Sequence, residues 1–120
     1  DHHPVIADCQ RALGNVDRVR ELWDELRRTG ASVDVVVEGR IVMAGALADR
    51  GDLAAAVQML EQGPVNVRRP QVHHLRLWYA LANLSEQVGD PVRARALFAR
   101  VVSADPGFGD AAGRLRSLGG

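Results

Sequence analysis

The sequence predicts an all-α chain, an α-solenoid of about three helical hairpins plus a C-terminal capping helix, on three observations. Gly14-Asn15, Gly51-Asp52 and Gly89-Asp90 recur 37 and 38 residues apart. Each dipeptide suits the end of one helix and the start of the next, because glycine accepts a left-handed C-terminal cap and Asn or Asp can cap the following N-terminus. The segments on both sides of these elbows carry apolar residues at helical spacing, and an excess of Ala, Leu and Arg favours helix throughout.

The first hairpin spans about residues 3–30. Val5, Ile6, Cys9, Ala12 and Leu13 give one apolar face, and Val16, Val19, Leu22, Trp23 and Leu26 give the other, with Gly30 closing the second helix. The second hairpin, about 32–63, has Val36, Val37, Ile41, Met43, Ala44, Leu47 and Ala48 along a first helix with Ser32 at its cap. Leu53, Ala56, Val57, Met59 and Leu60 line its second helix. Gly63 to Pro70, bounded by prolines at 64 and 70, reads as a linker.

The third hairpin, about 71–106, is the most regular. Leu77, Trp78, Leu81, Ala82, Leu84 and Val88 form its first stripe, and Val92, Ala94, Leu97, Phe98, Val101 and Val102 its second. Pro91 fits the first position of the second helix, and Asp105-Pro106-Gly107 stops it. A last helix, about 108–118, puts Phe108, Ala111, Ala112, Leu115 and Leu118 on one side and Asp110, Arg114, Arg116 and Ser117 on an outer, polar side. A helix apolar on one face is what the end of a solenoid requires.

Trp78, Leu81, Ala82, Ala94, Phe98 and Pro106 follow the spacing W-x2-L-G-x2-Y, A-x3-F, P, with Ala82 at the small-residue position and Ser85 in place of Tyr. On these residues the chain resembles a tetratricopeptide repeat. In the same register Ala7, Val19 and Trp23 of the first hairpin match Ala82, Ala94 and Phe98. The second hairpin keeps Ala44 and Ala56 but has Arg40 for Trp and Leu60 for Phe, and so is a degenerate copy. The intervals exceed the 34 residues of the family, which leaves a longer-period class of helical hairpin repeat open.

The resemblance implies a right-handed superhelix whose first helices line a concave, partner-binding groove. Carried over by register, the groove positions are Arg76, Tyr79, Asn83, Glu86 and Gln87 in the third hairpin. They are Glu38, Ile41, Gly45, Ala48 and Asp49 in the second, and Asp8 and Arg11 in the first. Tyr79 and Arg76 rank first, since aromatics and arginine are enriched among binding hot spots. Family members that grip a C-terminal carboxylate use Lys and Asn; Asn83 matches one site, but Tyr79 stands where Lys would be.

Other chemistry is weaker. His2-His3 and His73-His74 are adjacent pairs, and neighbours on a helix point about 100 degrees apart, with no Cys or acidic ligand at zinc spacing. Cys9 falls on an apolar face and reads as a buried thiol. Gly107-Phe108-Gly109 lacks the remainder of a phosphate loop. No catalytic residue, metal site or cofactor is therefore expected, and the chain is not expected to be an enzyme.

Fifteen basic side chains, all arginine, balance fifteen carboxylates. A neutral chain has no global field to draw nucleic acid or an anionic membrane, so neither is an expected partner. No apolar run approaches the roughly 20 residues that span a bilayer, and a lone cysteine gives no disulfide, so a cytoplasmic location is expected. The start at Asp1, without Met, suggests a fragment of a longer chain. The expected function is a protein-protein interaction module holding a peptide or partner protein in the groove. Two alternatives stand beside it: self-association through an open N-terminal hairpin as a homodimer or scaffold, and a regulatory appendage of a larger enzyme or DNA-binding protein.

Overall fold

The computed structural model describes Ala7, Arg11 and residues 14–119, and within these it is all-helical, with six continuous helices and no strand. The chain divides into two compact units, Asp1–Gly63 and Pro64–Gly120. The first holds α1 (Val16–Arg28), α2 (Val33–Asp49) and α3 (Leu53–Glu61), preceded by helical Ala7 and Arg11. The second holds α4 (Val72–Gln87), α5 (Pro91–Ala104) and α6 (Ala111–Ser117). In each unit the packed helices are neighbours in sequence: α1 with α2, α2 with α3, α4 with α5, α5 with α6.

The three elbows share one local geometry. Gly14, Gly51 and Gly89 sit at φ of 74, 88 and 86°, the left-handed region that an L side chain resists. The next residue then caps a helix: Asn15 accepts from the Arg18 amide, Asp52 from Ala55 and Asp90 from Arg93, at 3.1, 3.3 and 3.1 Å. At the second and third elbows the same residue's own N–H closes back to the helix just ended, Asp52 to Leu47 at 2.9 Å and Asp90 to Ser85 at 2.8 Å. Local chemistry alone thus stops one helix and aims the next.

Packing follows the expected stripes closely in α1, where Val16, Val19, Leu22, Trp23 and Leu26 are all buried. Its neighbour α2 is apolar almost all round, and Gly39 is the reason the two helices come close. A Cβ there would lie 2.4 Å from Leu26 Cδ2 and 3.3 Å from the Trp23 ring. In the second unit Ala82 and Ala94 are fully buried, as are Trp78 and Phe98. Ser85, which stands where the repeat has Tyr, is buried too, and its hydroxyl donates to the Leu81 carbonyl at 2.7 Å, an internal bond that satisfies it. The segment 62–71 is non-helical, as a linker should be. It is nonetheless anchored within its unit: Trp78 Nε1–H and Arg100 Nη1 both donate to the Val65 carbonyl, each at 2.9 Å.

Several expectations need correction. Val88 and Val92 are 44% and 65% exposed, not part of the buried stripes. Both flank the Gly89 elbow, at helix ends rather than along the packed middle. The last helix starts at Ala111 instead of near Phe108, because Gly109 at φ 48° breaks the right-handed path and residues 105–110 form turns. Ser32 occupies the cap position of α2, yet its hydroxyl makes no cap bond; only its carbonyl is used, by Val36. Arg114 does not face outward, as the following geometry shows.

Candidate functional site

The sequence places candidate positions on the first helices of the hairpins, and each unit treats them differently. On α4, Tyr79, Asn83 and Glu86 lie one or two turns apart on one face, and α6 reaches across to them. The Arg114 guanidinium donates to Asn83 Oδ1 at 3.0 Å, to Glu86 Oε1 at 2.9 Å and to the Tyr79 hydroxyl at 3.4 Å. It also lies 4.9 Å from the Phe98 ring centre, so its flat face covers an aromatic while its edge serves three acceptors. The Tyr79 hydroxyl in turn donates to Asp110, and its ring meets Phe98 edge-on at 5.5 Å. Arg76 is exposed on the same helix.

The charges of this network reinforce one another. Hydrogen bonding to Glu86 holds the Arg114 pKa above the ordinary arginine value against the opposing effect of its partial burial. The bond to Asp110, with burial, raises Tyr79 above the usual phenol range. Arg114 and Asp110 are the residues that sequence reasoning missed. Periodicity put both on an outer face, and only the path of the chain after Gly109 turns them toward α4.

The first unit leaves its positions more open. Ile41, Gly45 and Ala48, at i, i+4 and i+7 of α2, form a partly exposed apolar line, while Val42, Met43, Ala44, Ala46 and Leu47 around them are buried. Arg11 lies over Gly45, where a Cβ would fall 2.4 Å from its Cζ, and pairs with exposed Asp49 at 2.9 Å. Glu38, one turn before Ile41, is partly buried. Arg40, at the position of Trp78, donates to the Met59 carbonyl at 2.9 Å and lies 5.1 Å from the Trp23 ring centre. Burial lowers its pKa, and the nearby Arg27 cation lowers it further.

His73 and His74 do begin a helix. His74 Nδ1 accepts from the Gln71 amide at 2.8 Å, as half of a capping box, and its ring lies 4.1 Å from that of His73. Burial, and then the neighbouring His73, lowers the His74 pKa. Among the described residues there is no group of three or more His, Cys, Asp or Glu placed to hold a metal ion. Likewise no described helix is long and apolar enough to cross a membrane. Asp8, Cys9, His2 and His3 lie outside the described residues.

No curated protein and no solved structure matches the chain. A family model does match, over residues 75–115, and it is that of the tetratricopeptide repeat. The match covers α4 from Leu75, α5 and α6 through Leu115, the stretch in which Trp78, Ala82, Ala94 and Phe98 are buried. Residues 75–115, about a third of the chain, are therefore similar to a tetratricopeptide repeat, within a chain that is all-helical among its described residues.

Proposed function

We propose that the chain is a protein-binding module, without catalysis of its own, that holds a peptide or partner protein on the first helices of its hairpins. Repeats of this family generally mediate protein-protein interaction, which supports the class of function. The observation that carries the reading further is the apolar line Ile41, Gly45 and Ala48. Ile41 and Ala48 stay partly exposed on either side of Gly45, over which Arg11 crosses to pair with Asp49, so the face offers apolar contacts interleaved with charge. Arg76, Tyr79, Asn83 and Glu86 belong to the proposed face of α4, with the Arg114 network setting the directions of its polar groups.

Affinity capture from the source cells, quantified by mass spectrometry, tests this. Ile41→Glu should keep the helical circular dichroism and the melting temperature within a few degrees, yet deplete specifically captured partners about tenfold, the size of a lost interface contact of over 1 kcal/mol. Equal capture by a folded Ile41→Glu variant would remove α2 as the binding face.

A further inference from the structure

The second unit contains a feature that the repeat does not account for. The carbonyl of Val65 takes hydrogen bonds from both Trp78 Nε1 and Arg100 Nη1, and the Arg100 guanidinium lies 5.0 Å from the Trp78 ring centre. Arg100 is therefore held at one edge and one face. Beside it opens a hollow of about 280 Å3 lined by Asn66, Val67, Arg68 and Arg100. Arg11, Arg18 and Arg114 each find a carboxylate within 3.0 Å. Arg68 and Arg100 both line this hollow, and no carboxylate does.

We propose that this hollow binds a phosphate group, either free phosphate or a phosphomonoester carried by a partner polypeptide. Two arginines lining one hollow bring like charge to it, which an anion would offset. A phosphate monoester brings about −1.5 to −2 at pH 7, against one charge for a carboxylate. Guanidinium forks match its tetrahedral oxygens, and the Asn66 amide supplies a further donor. Because Arg100 is already fixed by Val65 and Trp78, little side-chain freedom is lost when it binds. The site shares no residue with the helix face proposed above, so either can fail without the other.

The test is a titration of the isotopically labelled chain followed by NMR, first with inorganic phosphate and then with O-phosphoserine, ionic strength being held constant with sodium chloride. The indole N–H of Trp78 and the Nε–H of Arg100 report directly, since both groups are joined at Val65. Saturable shifts of these two signals are expected, and the tighter of the two ligands identifies the source of the phosphate. Arg68 is exposed, so Arg68→Gln should leave the remaining spectrum unchanged while weakening the apparent Kd about tenfold or more, as loss of a charged hydrogen-bond donor does. Arg28→Gln, an equal loss of charge on the exposed surface of α1, should change it less than about twofold. Shifts reproduced by chloride alone, or equal weakening by both substitutions, would overturn the proposal, as would no shift with either ligand.

Discussion

The two units solve the same packing problem with the same side chain and opposite electrostatics. In the first, the aromatic of α1, Trp23, is covered by Arg40 from the next helix; in the second, the aromatic of α5, Phe98, is covered by Arg114 from the next helix. Arginine suits this position because its plane lies flat on a ring while its edge still donates hydrogen bonds. The edges meet different surroundings. Arg114 reaches Glu86, Asn83 and Tyr79, a neutralised network, whereas Arg40, among the described residues, reaches a backbone carbonyl and has a second cation, Arg27, over the same Trp23 ring. The geometric seal is thus common to both units, and the charge balance is not.

The largest test removes the covered ring itself. Phe98→Ala and Trp23→Ala should each cost about 3–5 kcal/mol, the usual range for deleting a buried aromatic. Thermal melts by circular dichroism would show both as losses of many degrees. If Trp23→Ala were nearly silent while Phe98→Ala unfolded its unit, the two seals would not be equivalent.

Replacing the arginines sharpens the contrast. Arg114→Leu should cost about 1–2 kcal/mol, because it strips three acceptors of their shared donor. That loss should shrink in high salt, since the Glu86 partner is open to solvent. Arg40→Leu should be within about 1 kcal/mol of the parent: it removes a desolvated cation beside Arg27 as well as one hydrogen bond to Met59. Urea titrations of the two variants in low and high salt measure the difference.

The smallest effect has no counterpart among the described residues of the first unit. Neutral His74 Nδ1 accepts the Gln71 N–H at the start of α4, and burial holds its pKa below the ordinary value of about 6.5. A depressed folded pKa means that the unfolded chain takes up the proton first. Stability is then complete above the unfolded value and falls as the pH drops through it toward the folded one. Melts from pH 7.5 to pH 5 should show this decline, and His74→Asn, which keeps an acceptor but does not titrate, should flatten it.

What the sequence made legible was what is decided locally. The elbows were readable because glycine's left-handed cap and an Asn or Asp side chain act within four residues of themselves. The α1 stripe is readable because packing within its unit buries one face of it. What escaped depends on elements distant in the chain. Gly39 reads as a helix weakness until Trp23 and Leu26 are seen against it, and Arg114 reads as surface until Phe98 and Glu86 meet it. Val92 fits a helical stripe by spacing alone, but spacing cannot register that a helix end runs past its neighbour. Register alone proposes the candidate positions on α4, and it does not reach the arginine that contacts them.

The elbows also bear on how the chain folds. Their hydrogen bonds close over a handful of residues, and the helices most extensively packed within each unit are consecutive, so stabilising contacts can begin locally before the Arg114 ties join α6 to α4. Packing between sequence neighbours favours fast folding, in microseconds to milliseconds.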